Sequence, residues 1–230
     1  MENRWKEIWE KRIEKNGEKT HTELLIANGY DNERSQLRPE NLELGQRYYW
    51  NLIDLKLSDS IYEVGCGSGA FLYPLYLKGH EVGGIDLSHS LIEVAEENLP
   101  DGEWEQGEAV EIKDFKRYDH VVSFGCFLYF PNLEYAENVI LRMLLKSKGS
   151  VSIYELPDHD YKGECEKMRR ETTPNYDTDY EGLKHLYYKK QWFVDFAKRN
   201  NLHLTIFDQC IPGYENSKYR FCVILKPNRR

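Results

Sequence analysis

The stretch "YEVGCGSGAFL" (62–72) decides how this chain is read. A short apolar run stops at Gly65, and Gly67 and Gly69 follow on alternate positions. Glycine loses more backbone freedom on folding than any other residue, so such a cluster marks a place where the chain turns tightly or comes close to a ligand. A buried strand feeding a glycine turn into a helix has a physical use, because the free amides of the helix N-terminus favour polar or anionic ligand groups. The spacing is GxGxG, with Glu63 two positions ahead of the first glycine. The dinucleotide fingerprint is GxGxxG, and the last glycine falls one position short of it.

Beyond the turn, apolar runs alternate with helical patterns. "AFLYPLYLKG" (70–79) is expected to be a helix closed by Gly79, with Pro74 tolerated in its first turn. "EVGGIDL" (81–87) reads as a strand, and "SHSLIEVAEENLP" (88–100) as a helix capped by Ser88 and stopped before Pro100. "GEWEQGEAVEI" (102–112) gives a short strand and turn, "YDHVVSFGC" (118–126) a strand, "NLEYAENVILRMLLKSKG" (132–149) a helix, and "SVSIYEL" (150–156) a strand. Strands alternating with helices predict a doubly wound parallel α/β sheet.

The flanks depart from that rhythm. Trp5, Ile8, Trp9 and Ile13 predict an amphipathic helix over 3–16, and a second helix is expected over 41–55. Residues 157–190 are polar and rich in tyrosine, and are expected to form an insertion over the top of the sheet with some helix around 162–171. After a helix in "QWFVDFAKRN" (191–200), the runs 202–210 and 219–226 are joined by a short connection and so must pair antiparallel. The expected fold is α/β: a doubly wound, mostly parallel seven-stranded sheet with an antiparallel C-terminal strand and an insertion after strand five. One domain is expected, with N-terminal helices in 1–55, a core in 60–156, the insertion in 157–190, and a C-terminal helix and hairpin in 191–230.

With 230 residues and a net charge of −8, the chain lacks the basic excess of broad nucleic-acid or anionic-membrane binders. The basic run "KMRR" (167–170) reads as a solvated helix face. The charged N-terminus has no apolar signal-peptide core, and no run is long and apolar enough for a membrane span. Five cysteines without a CxxC pair, and seven scattered histidines, predict reduced thiols, a cytoplasmic setting and no metal.

The ordered series "EVGCGSG" (63–69), "VGGID" (82–86), "GEA" (107–109) and "YDHVVSFGCFLYF" (118–130) resembles the motifs of class I S-adenosylmethionine-dependent methyltransferases, and "LLKSKGSVSIYE" (144–155) extends the match. The resemblance implies a Rossmann-like methyltransferase fold with S-adenosyl-L-methionine as cofactor and S-adenosyl-L-homocysteine as product. It implies that Glu63, Gly65, Cys66, Gly67 and Gly69 form the cofactor turn, and that Asp86 with Leu87 holds the ribose hydroxyls. Glu108 and Ala109 would lie beside the adenine, and Phe124 and Gly125 would pass the methionine part.

Methyl transfer needs mainly proximity and alignment, and a base only where the acceptor must lose a proton. Acceptor contacts are expected from parts overhanging the strand C-termini: Phe127, Tyr129 and Phe130; Glu155; Tyr187 and Tyr188; and Tyr214, Asn216, Tyr219 and Arg220. His185 is the candidate base, by its intrinsic pKa range. Arg47 and Tyr48 are candidates for the cofactor carboxylate. No NPPY-like tetrad follows strand four, and no acid cluster for magnesium is present, which leaves a small-molecule or sugar-derived acceptor. "NRWKEIWEKR" (3–12), "FPNLEYAENVILRML" (130–144) and "FDQCIPGYENSKYRF" (207–221) are similar to bacterial methyltransferases found with surface-polysaccharide biosynthesis, some of which methylate sugars or phosphoramidate groups of capsule. The alternatives are a non-catalytic cofactor-binding subunit and a nicotinamide-dependent oxidoreductase; the GxGxG spacing counts against the second.

Overall fold

A computed structural model describes residues 4–12, 17–31, 36–172 and 175–228. The apolar runs become strands β1 (Ile61–Val64), β2 (Val82–Asp86), β3 (Glu103–Gln106), β4 (Tyr118–Phe124), β5 (Ser147–Pro157), β6 (Leu202–Asp208) and β7 (Arg220–Pro227). They form one seven-stranded sheet in the order β3-β2-β1-β4-β5-β7-β6. β1 to β5 pair parallel, and β7 lies antiparallel between β5 and β6. This is the expected architecture, including the C-terminal hairpin.

The helices are α1 (Arg4–Glu10), α2 (His21–Ala27), α3 (Pro39–Ile53), α4 (Tyr73–Tyr76), α5 (His89–Asn98), α6 (Leu133–Lys146), α7 (Lys162–Thr172), α8 (Tyr176–Asp179) and α9 (Lys190–Arg199). Ile13, expected to extend the first helix, lies outside the described residues. The helix expected over 70–79 shrinks to the single turn of α4, because Pro74 sits at its start and Gly79 ends the segment at φ +86°. Ser88 caps α5 as expected, its hydroxyl accepting from Leu91 N–H at 3.3 Å.

Successive residues of the central strands face opposite layers, as the strand period requires. Val122 and Phe124 of β4 join α3 and α4 in one core, whereas Tyr118 and Val121 join α6 and α9 in the other. β7 divides the same way, with Cys222 and Ile224 on the first side and Phe221, Val223 and Leu225 on the second. Burial on both faces is why these strands read as continuous apolar runs.

The insertion is pinned at both ends. Tyr188 N–H donates to Pro157 O at 2.9 Å and His159 N–H donates back to Tyr188 O at 2.9 Å, so the chain returns to the point where it left the sheet. β5 carries an irregularity there: its pairing with β7 shifts between Ile153 and Leu156, and Glu155 adopts φ +61°.

At the opposite edge of the sheet His120 is buried, with Nε2 3.2 Å from Asp59 Oδ2 and Nδ1 2.7 Å from Ser150 Oγ. Burial outweighs the pull of Asp59 and lowers its pKa below the usual histidine value of 6.5. The unfolded chain therefore takes up this proton first as pH falls. The stabilising contribution is fully present above pH 6.5 and is lost as pH falls from there through the folded-state pKa. We expect urea unfolding between pH 7.5 and 5.5 to show a steeper acid loss for the wild type than for His120→Gln, the difference in slope staying below about 1.4 kcal/mol per pH unit.

Candidate active site

A cavity of about 810 Å³ opens at the C-terminal edge of β1, β2 and β4. Its base is the glycine turn. Gly65, Gly67 and Gly69 have φ of +75°, +53° and +77°, a region that costs other residues energy. The turn hangs from β2, since Gly65 and Cys66 N–H both donate to Ile85 O, at 2.8 and 3.2 Å. No side chain fits at the first two glycines. A Cβ on Gly65 would lie 2.4 Å from Cys126 Sγ, and one on Gly67 would lie 2.4 Å from Asn28 Oδ1. That same Asn28 oxygen accepts from Ser68 N–H at 2.8 Å, which ties the end of α2 to the turn.

Asp86 stands in the cavity wall at the tip of β2. Its Oδ2 accepts from Gly67 N–H at 2.8 Å and its Oδ1 from Ser88 N–H at 2.9 Å. Burial raises its pKa despite these bonds. Each carboxylate oxygen retains acceptor capacity for a second partner. Below the turn Glu63 is 1% exposed, and its Oε2 has no hydrogen-bond partner. Burial, reinforced by the charge of Asp86, pushes its pKa well above the usual range. Leu87, Glu108 and Ala109 continue the wall, and Glu108 accepts from Tyr135 Oη at 3.2 Å.

The β4 side of the cavity is aromatic. Phe124, Gly125 and Tyr129 line it, with Phe130 and Tyr30 beside them. Trp5 and Trp9 of α1 form a roof, their rings 4.7 and 5.4 Å from that of Tyr129. α1 is held there by Glu10, whose carboxylate accepts from His89 N–H at 2.8 Å and Ser90 N–H at 3.2 Å at the start of α5. An acid at a helix N-terminus is stabilised by the unpaired amides and the helix dipole. The amides prevail over burial and lower the Glu10 pKa.

Several expected positions fall elsewhere. Cys66 is buried under the turn, and Gly69 packs on Leu99, just past the end of α5; neither lines the cavity. Phe127 is a core residue at 1% exposure, because the 3-10 turn Phe127–Tyr129 aims it inward while Tyr129 faces the cavity. Tyr188 is fully buried and donates to Phe127 O at 2.9 Å. Tyr187 and Tyr219 pack with Cys165 in a separate cluster. Arg47 is exposed, and Tyr48 packs edge-on against Phe207, so neither faces the cavity.

His185 sits one layer behind the wall, its ring 5.1 Å from Trp5 and 5.5 Å from Tyr129, with Arg169 Nη1 3.3 Å from Nδ1. Burial and the charges of Arg169 and Arg220 push its pKa well below 6.5, which makes it a weak proton acceptor. Tyr214, Asn216 and Arg220 converge on Glu155 behind the wall. Tyr214 Oη donates to Glu155 Oε1, Asn216 Nδ2 lies 3.3 Å from Tyr214 Oη, and Arg220 Nε is 3.9 Å from Glu155 Oε1. Asn28 and Tyr30 escaped the sequence reading, since an isolated Asn or Tyr after a short helix carries no motif. Trp5 and Trp9 were visible only as an amphipathic stripe.

Residues 61–149 match the family model described as "Methyltransferase domain". The chain is similar in structure to magnesium protoporphyrin IX methyltransferase from Synechocystis PCC 6803 with bound SAH, at 14% identity and TM-score 0.62, over 98% of this chain and 93% of that one. It is similar to the plantazolicin methyltransferase in complex with SAH at 18% identity and TM-score 0.65, over 89% and 90% of the two chains. A TehB-like SAM-dependent methyltransferase from Corynebacterium glutamicum ATCC 13032 Kitasato matches at 18% identity and TM-score 0.55, over 83% and 100%. No curated protein matches the sequence. The central part of the chain thus resembles a methyltransferase domain, and the whole has the Rossmann-like methyltransferase fold.

The contact between Gly67 and Asn28 gives a direct test of the base of the cavity. Gly67→Ala places a methyl group against Asn28 at an unfavourable φ, and we expect a loss of about 1–3 kcal/mol in urea unfolding.

Proposed function

We propose that the chain is an S-adenosylmethionine-dependent methyltransferase acting on an oxygen or nitrogen of a small polar or sugar-derived acceptor. The observation that carries the reading is Asp86: a carboxylate held by two backbone amides, one from the glycine turn itself, and facing a cavity. The residues fit the cofactor. The turn excludes side chains at Gly65 and Gly67, and the Asp86 oxygens beside it keep acceptor capacity for hydroxyl donors.

When bound, the cofactor supplies an activated methyl group on a sulfonium. The residues of this chain supply the rest. Asp86 holds the ribose hydroxyls as a charge-assisted acceptor, and Glu108 and Ala109 flank the base of the nucleoside. Phe124 and Gly125 border the passage to the acceptor end. Trp5, Trp9 and Tyr129 exclude water and offer flat apolar faces to the acceptor, with Lys184 at the rim. His185, kept neutral behind Tyr129, shapes that end. A role in surface-polysaccharide or capsule biosynthesis is supported by the three stretches outside the motifs, 3–12, 130–144 and 207–221.

Among the described residues no helix is long and apolar enough to cross a membrane. This is compatible with an acceptor taken from solution.

Calorimetric titration with S-adenosylhomocysteine, with NAD as control, tests the reading. We expect binding of the first alone, and a loss of affinity of about 10–100-fold in Asp86→Ala, the size set by removing charge-assisted hydrogen bonds. Binding of NAD, or an unchanged affinity in the variant, overturns the assignment.

A further inference from the structure

We infer that Tyr30, backed by Glu155, takes the proton from the acceptor, and hence that the methylated atom is a hydroxyl oxygen. This rests on the methyltransferase reading above and goes further by assigning the acceptor atom and the group that prepares it.

Tyr30 lines the cavity and its hydroxyl donates to Glu155 Oε2 at 3.1 Å. Glu155 is 5% exposed, does not line the cavity, and has its other oxygen taken by Tyr214, with Arg220 alongside. Tyr214 and Arg220 are themselves buried and absent from the wall. Among the described residues, then, Tyr30 is the hydroxyl that joins this carboxylate to the cavity.

Two unusual backbone positions create the meeting point. Gly125, at the end of β4, has φ +66°, and a Cβ there would lie 2.5 Å from Tyr30 Oη and 3.4 Å from Glu155 Oε2. Glu155, at the irregularity in β5, has φ +61°. A non-glycine residue held in that region costs energy and persists where the surroundings impose it, a pattern that concentrates at functional sites. The groups facing the pair are Tyr214, Arg220, Arg169 and Tyr129, with Cys222 and Tyr49 behind Glu155. Burial raises the Glu155 pKa, and Arg220, Tyr214 and Tyr30 partly offset the rise. Glu155 is thereby a stronger proton acceptor than an exposed glutamate.

The chemistry separates the two acceptor types. A neutral amine attacks with a free lone pair and sheds its proton afterwards. A hydroxyl must give up its proton as the bond forms. As the new O–CH₃ bond forms and the S–CH₃ bond breaks with its pair left on sulfur, the hydroxyl proton passes to Tyr30 Oη, and the Tyr30 proton passes to Glu155 Oε2. One positive and one negative charge disappear together, and the carboxylic acid then returns its proton to water.

The test uses the full chain, Tyr30→Phe and Glu155→Gln, with phenol against aniline and naphthol against naphthylamine as matched probes. Titration with S-adenosylhomocysteine comes first: no binding to the wild type defeats the methyltransferase reading itself. With that binding intact, the wild type should methylate hydroxyl members in preference to their amines. Both variants should lose about 100-fold on the hydroxyl member and no more than about tenfold on its amine, which loses only a hydrogen bond. Phenol binding to the S-adenosylhomocysteine complex should also weaken, by about tenfold in Tyr30→Phe, through loss of one hydrogen bond. Tyr30→Phe leaves the Glu155–Arg220 pair in place, so its result stands if Glu155→Gln folds poorly. Equal loss on both members, no loss, a preference for amines, or no probe bound or methylated overturns the inference while leaving the cofactor assignment standing.

Discussion

The hydrogen bond from Gly67 N–H to the Asp86 carboxylate is the constraint on which the site depends. It joins the turn after β1 to the tip of β2, and both partners face the same cavity. The turn is closed from above by Asn28 and from the side by Cys126, so it has no room to relax outward. Backbone rather than flexible side chains therefore shapes the ligand face. A surface fixed in this way loses little entropy when a ligand arrives, which is the physical content of preorganisation. The cost is borne by the glycines and by an acid kept partly desolvated.

Charge follows the same plan. Glu63, Asp86 and Glu155 are all acids removed from water, and burial raises the pKa of each. Such placement costs stability unless partners compensate. Asp86 is compensated by amides, and Glu155 by two tyrosines and Arg220, whereas one oxygen of Glu63 lies bare. The Asp86 carboxylate in the cavity wall favours positive charge there. The aromatic roof acts in the same direction, because the faces of tryptophan and tyrosine rings attract positive charge.

The sheet and its glycine turn were legible because their signals are local. Buried strands read as apolar runs, caps and glycines punctuate them, and Asp86 follows from a motif at fixed spacing. The acceptor end was less legible because it depends on side-chain direction and on docking between distant segments. Phe127 and Tyr129 lie two positions apart on a 3-10 turn, and one enters the core while the other faces the cavity. Tyr188, Asn216 and Arg220 were expected near the strand tips and do lie there, but behind the wall. Tyr30 reaches the cavity only because α2 is clamped to the turn through Asn28. No window around Tyr30 carries that information.

Two segments outside the core meet over Tyr129. α1 brings Trp5 and Trp9, and the insertion brings His185 and Arg169. Trp5 touches both Tyr129 and His185, so the roof and the insertion rest against each other. Each is anchored independently, α1 by Glu10 on the amides of α5 and the insertion by the bridge between Pro157 and Tyr188. A change in either segment thus alters the walls around the acceptor while the glycine turn and Asp86 stay in place. Under the proposed function the central strands would hold the cofactor, and the segments packed over Tyr129 would choose the acceptor. The Tyr30–Glu155 pair sits at the border of the two, fixed by the ends of β4 and β5 and open to whatever the roof admits.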